Sequence, residues 1–158
     1  DDRTDRGEGA VTDWYHHPGP DVTTHYQDIA ALLRALPGLR GGVHVGNVPA
    51  ALPQDTAGRV YPYAAIWAGI LSPVPDDDVS GRIYQAGQTG EFTVTVASGD
   101  WTWTTGAARD VKHTLTGALD GRVKPQRLQQ SIAQVMTDPA ERPARYYIPL
   151  TWTLTDHA

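Results

Sequence analysis

The last fourteen residues, 145–158, place Ile148, Leu150, Trp152 and Leu154 at every second position, with Pro149, Thr151, Thr153 and Thr155 between and beyond them. A period of two puts the large apolar groups on one face and the small polar ones on the other, which predicts a half-buried strand. A strand so late in the sequence joins a sheet built from earlier segments. Pro149 has no ladder donor, which suits an edge or a bulge. The spacing therefore predicts that this strand closes the sheet, either as a protected edge or as an edge that a neighbouring molecule completes.

Upstream the periodicity changes. Residues 1–20 carry charges, glycines and prolines with only Val11, Trp14 and Tyr15 as large apolar groups, and read as an arm preceding a domain over 21–158. Asp21 is placed to cap a helix in which Val22, Tyr26, Ile29, Leu33 and Leu36 recur at helical spacing until Pro37-Gly38. A short strand follows around Val43 to Val48, then a longer one over residues 60–71. Residues 72–81 read as a loop holding Asp76, Asp77 and Asp78, with an exposed ribbon over 82–90 behind it. Phe92, Val94 and Val96 mark a third strand, and Ala107, Ala108, Val111, Leu115 and Leu119 stripe a second helix that Gly121 stops. Residues 122–136 are weakly patterned, with a possible strand over 132–136. The order predicts an α+β domain: a mainly antiparallel sheet with two helices packed on one face and an opposite face that needs a cover. Leu33, Ile66, Val94, Val111 and Trp152 are the expected core.

Composition narrows what such a domain does. At 158 residues the chain suits one domain. It has no cysteine, so neither disulfides nor thiolate metal sites hold it together. Thirteen Lys and Arg against 18 Asp and Glu give a formal charge of -5, which disfavours a nucleic-acid-coating role that depends on neutralising phosphates. The longest apolar run, residues 64–71, is far shorter than the roughly 20 residues a spanning helix needs, and the first residues lack the pattern of a signal peptide, so the chain reads as soluble.

Six histidines invite a metal site, but His16, His17, His25, His44, His113 and His157 include no pair at the spacing that converges two imidazoles on one ion. The Asp76 to Asp78 run lacks the alternation of a calcium loop. No nucleophile elbow and no phosphate-binding glycine loop is present. The expected metal, cofactor-binding and catalytic residues are therefore none. Trp101 and Trp103 flank the start of the second helix, either as hydrophobic staples holding it to the sheet or as anchors at an interface. Arg122, Lys124 and Arg127 form a basic run that is either a solvated face or half of an electrostatic contact with Asp76, Asp77 and Asp78 of a neighbouring subunit.

Five stretches, taken in order, carry a likeness to a known family: His25-Tyr-Gln-Asp-Ile-Ala-Ala-Leu-Leu-Arg-Ala-Leu, Val60-Tyr-Pro-Tyr-Ala-Ala-Ile-Trp, Phe92-Thr-Val-Thr-Val-Ala-Ser-Gly-Asp, Thr114-Leu-Thr-Gly-Ala-Leu-Asp-Gly and Tyr146-Tyr-Ile-Pro-Leu-Thr-Trp. Over residues 21–158 the sequence resembles the tail terminator proteins of long-tailed actinobacterial phages and, more loosely, ring-forming tail-completion and minor tail proteins. The resemblance rests on element order and size; no single motif is diagnostic. It implies a structural virion protein without catalysis or cofactor. It further implies a homo-hexameric ring, assembled in the host cytoplasm, that caps the tail tube at the head–tail junction. Its partners would be its own copies, the tail tube protein and the head–tail connector or neck protein. Genome DNA would pass through the lumen without sequence-specific binding, past acidic loops that repel phosphate. The arm over 1–20 departs from that family. Two other classes stay open: a head-to-tail neck adaptor, which would dock on the portal side, and a small enzyme, which a convergent pocket of ionisable residues would betray.

Overall fold

A computed structural model describes residues 22–77, 83–126, 129–130 and 133–157. The expected arm and the capping Asp21 lie outside the described residues. Helix α1 (Val22–Arg34) buries Tyr26, Ile29, Ala30 and Leu33, the stripe its sequence predicts. Arg34, in its last turn, donates to the Val43 carbonyl at 3.4 Å. Strand β1 (Val43–Val45) runs parallel to β2 (Tyr63–Trp67), which pairs antiparallel with the 16-residue β4 (Ile83–Ser98). Beside β4, in line with β2, lies β3 (Ser72–Asp77). Helix α2 (Trp101–Leu115), the short strands β5 (Val123–Pro125) and β6 (Met136–Asp138), and β7 (Arg145–His157) complete the domain. The seven strands form one sheet in the order β1-β2-β4-β7-β5, with β3 beside β4 and β6 beside β7.

Both helices pack on one face, where Ile66, Val94, Val96, Leu150, Trp152 and Leu154 meet Ile29, Leu33, Val111 and Leu115 in one core. This is the expected α+β arrangement, and all five expected core residues are fully buried. The far face is covered at one end by the β1–β2 connection, whose Leu52 and Val60 pack with Tyr63 and Ala97.

Four expectations need correction. The terminal strand is not an edge: β7 pairs with β4 from Tyr146 to His157, and on its other side with β5 and β6. Thr155 donates its amide toward β5 and the Thr151 carbonyl accepts from the Gln126 amide, so the odd residues of β7 direct their backbone polar groups away from β4. Pro149 shares that parity and sits in the gap between β5 and β6, where its missing N–H costs no ladder bond. The sequence pattern hid this because β5 and β6 are three residues long and show no alternation. Second, the strand expected over 60–71 stops at Trp67, and residues 72–77, expected as loop, form β3. Third, the ribbon expected over 82–90 is the first half of β4. Pro73 and Pro75 are tolerated because β3 pairs on one side and shifts register between them. Fourth, α2 ends at Leu115 rather than running to Leu119, because Thr116 turns extended (ψ 113°) and Gly117 adopts φ 78°.

The break between β2 and β3 has a definite cause. A Cβ on Gly69 would lie 1.7 Å from the Glu91 carbonyl oxygen, and one on Gly90 would lie 2.5 Å from that of Ile70. Backbone meets backbone here, and only glycine allows it. Gly69 finds its partner in α1 instead: the Tyr26 hydroxyl accepts from the Gly69 amide at 3.0 Å and donates to its carbonyl at 3.1 Å. Burial pushes the Tyr26 phenol pKa up, with the Gly69 backbone bond opposing it. Tyr26→Phe is expected to lower stability by about 1–3 kcal/mol, since it leaves two backbone groups without their partner; denaturant unfolding of the two proteins measures it.

Candidate functional site

At the end of the sheet where β2 begins and β4 ends, three chain segments converge. Asp100 caps α2, its carboxylate accepting from the Thr102 amide at 2.8 Å, the Trp103 amide at 3.3 Å and the Thr102 hydroxyl. Gly99 donates to the Val60 carbonyl at 2.8 Å, and a Cβ there would stand 2.6 Å from the Val60 amide nitrogen, so the start of α2 is drawn against the start of β2. The Gly41 amide binds the Pro62 carbonyl at 2.8 Å and brings in the turn after α1.

The result is a stack of four side chains. Tyr61 and Trp103 lie nearly parallel, ring centroids 6.1 Å apart and planes 20° off. The Arg40 guanidinium sits 4.0 Å above the Tyr61 ring and that of Arg59 4.4 Å above Trp103. Beside the stack is a cleft of about 330 Å³ lined by Gly38, Arg40, Tyr61, Pro62, Trp103, Ala107 and Asp110. Arg59 is neutralised, bridging Asp55 at 2.8 Å and Asp100 at 3.3 Å. Arg40 makes no ion pair with a described residue, and the cleft carries its guanidinium and the side chain of Asp110 beside the aromatic rings.

The two carboxylates that hold Arg59 are tuned for this. The Arg59 amide, foremost, holds the Asp55 carboxyl below its ordinary pKa of 3.8, and the Thr102 hydroxyl does the same for Asp100. A depressed folded-state value means that their contribution is complete above pH 3.8 and is lost only as the pH falls through the lower folded-state values. Tryptophan fluorescence followed through an acid titration is therefore expected to report an intact Trp103 environment through mildly acidic pH. In Asp100→Asn that environment should be altered already at neutral pH.

The expected interface residues distribute unevenly. Trp103 is half-buried in the stack, whereas Trp101 is 60% exposed in the first turn of α2 and packs on little. Asp76 and Asp77 stand at the end of β3, opposite Tyr84 and Ile83; Asp78 lies outside the described residues. Arg122 does not belong to a free basic face: its Nε lies 3.4 Å from the buried Asp156, which His25 also approaches at 3.3 Å. Lys124 is exposed on β5, and Arg127 lies outside the described residues. Sequence reasoning missed Arg40, Arg59 and Tyr61. They sit in turns without periodicity, and only the topology joins them to Trp103. Among the described residues no group of three or more His, Asp or Glu is placed to hold a metal ion, and no helix is long and apolar enough to cross a membrane.

No family model matches the chain, and no curated protein matches it. Among solved structures it is similar to a chain of the "Virion of native gene transfer agent (GTA) particle", with 20% identity, a TM-score of 0.44, and coverage of 84% of this chain and 91% of that one.

Proposed function

We propose that this chain is a structural virion subunit of a tailed phage or phage-like particle, building a hexameric ring that caps the tail tube and joins it to the head connector. The observation that carries this reading is the placement of its exposed apolar surface at two opposite ends of one sheet. At one end Trp101 is 60% exposed in the first turn of α2 and Met136 is 41% exposed on β6. At the other Val45, Trp67 and Ile70 are 45%, 44% and 90% exposed around the base of the β3–β4 hairpin. Scattered single residues would need no explanation, but two separated groups of large side chains suit a subunit held by a neighbour on each side. A heterologous contact between unlike surfaces closes into a ring when its rotation allows. The sequence resemblance to tail terminators supports the same assignment.

In this reading the ring's other faces meet the tail tube protein and the connector or neck protein, residues 1–20 form an arm outside the 21–158 domain, and genome DNA passes through the lumen. The protein works by contact and not by catalysis. Purified protein, alone or mixed with tube protein, is expected to sediment as a closed oligomer and to show rings by negative-stain imaging. A species that stays monomeric in both conditions would remove the proposal. Rings that bind the portal side and not the tube would identify a neck adaptor instead.

A further inference from the structure

We infer that His25, Arg122 and Asp156 form a proton-operated latch that fastens the first turn of α1 to the end of β7. Asp156 is only 4% exposed, so its carboxylate is cut off from water and depends on the charges beside it. Two other elements supply them. Arg122 sits in the turn between α2 and β5, where Leu119, Asp120 and Gly121 take positive φ in succession and bring the chain round, so that the Arg122 carbonyl accepts from the Thr155 amide at 2.9 Å. From there its Nε lies 3.4 Å from one oxygen of Asp156, and His25 approaches the other with Nε2 at 3.3 Å. His25 Nε2 and Asp156 Oδ2 are both buried and neither has another hydrogen-bond partner, so a proton on that nitrogen has this one acceptor.

The two basic groups differ in what acidity does to them. The guanidinium is charged at every working pH, whereas an imidazole takes up a proton as the pH falls through about 6.5. With a neutral ring, Arg122 alone balances Asp156. A protonated ring adds a second charge-assisted contact, stronger than the neutral one it replaces. The other charged groups on the surrounding elements, Asp28 on α1, Lys112 and His113 on α2, Asp120 beside Arg122 and Lys124 on β5, are exposed, and none of them pairs with His25 or Asp156; the neighbour of Asp156 on β4 is the neutral Gln88. The stability that the protonated ring contributes is present on the acid side of the imidazole range and is lost as the pH rises through it, because the unfolded chain offers the ring no fixed carboxylate. The latch also reaches beyond its own atoms. His25 precedes Tyr26, whose hydroxyl holds both backbone groups of Gly69 at the break between β2 and β3, so seating the first turn of α1 seats that crossing too.

His25→Gln tests this in the full chain, since glutamine keeps a neutral donor and cannot take up a proton, and His157→Gln is the control beside the site. Denaturant unfolding of each protein is measured at about pH 8 and about pH 5.5, on either side of the imidazole range. Between the two, wild type is expected to gain about threefold to tenfold in folding equilibrium constant over His25→Gln, and His157→Gln to follow wild type. Protection of the Gly69 amide against hydrogen exchange, corrected for the intrinsic rate at each pH, should rise with acidity in wild type and not in His25→Gln. Asp156→Asn removes the charge at nearly constant shape and should erase the same difference, with no further loss when it is combined with His25→Gln. If Asp156→Asn does not fold, the His25→Gln comparison decides alone. Parallel pH profiles for wild type and His25→Gln would overturn the inference, as would loss of the difference in His157→Gln instead. Neither result bears on the ring proposal, which concerns contacts between subunits.

Discussion

Trp152→Ala is expected to destabilise the domain by about 3–5 kcal/mol, the range for deleting a large aromatic from a closed core. Trp152 is fully buried at the centre of the face that both helices cover, flanked along β7 by Leu150 and Leu154 and paired opposite Phe92 on β4. Removing the indole leaves a void between three elements that cannot all move inward together. At this chain length the loss corresponds to a fall in melting temperature of about 6–20 °C. Trp101→Ala is the matched control: with its side chain 60% exposed, it should change stability by no more than about 0.5 kcal/mol. Thermal unfolding of both variants checks the pair, and equal effects would contradict the burial described here. Leu33→Ala and Ile66→Ala, on α1 and β2, should each cost about 2–5 kcal/mol by the same mechanism.

Gly69→Ala is expected to have the second large effect. Its new methyl would stand 1.7 Å from the Glu91 carbonyl oxygen, and the obstacle is backbone, which no side-chain rotation can clear. Either β4 shifts, disturbing its pairing with β7, or Gly69 withdraws and gives up both hydrogen bonds to Tyr26. The cost should reach or exceed the upper end of the roughly 1–3 kcal/mol typical of overpacking. Hydrogen exchange is expected to speed up first across β3 and the adjoining part of β4, because the crossing at residues 69–70 is where that hairpin joins the sheet. Wild-type stability and exchange in Gly69→Ala would show that the crossing is looser than the geometry states.

The core was legible and the edges were not, for physical reasons. Residues that face the core repeat at 3.6 or 2 positions, so Tyr26, Ile29 and Leu33 of α1 and Leu150, Trp152 and Leu154 of β7 announce both element and face. The α+β class followed from their order. What periodicity cannot give is pairing. Whether β7 lies at an edge depends on β5 and β6, whose short segments Val123–Pro125 and Met136–Asp138 carry no alternation, so a central strand looked terminal. Pro73 and Pro75 masked β3 in the same way, since nothing local says that a strand paired on one side will accept them. The candidate site was half visible. Trp103 stood out as an aromatic at a helix start, but Tyr61, Arg40 and Arg59 gain meaning only once Gly99 and Gly41 bring three segments together. Proximity in sequence grouped Arg122 with Lys124 and Arg127, and could not show its partner. In the fold its guanidinium serves the buried carboxylate of Asp156.

The virion assignment meets its most direct test in the intact particle. Under the proposal the genome that encodes this chain produces particles, which can be imaged by electron cryomicroscopy, with gold-labelled antibody against the chain as an independent marker. The account predicts a closed ring of identical subunits at the junction of head and tail, into which this α+β domain fits. Density for the chain elsewhere in the particle would contradict the placement at the junction. Purified virions that lack the chain altogether would contradict the assignment itself.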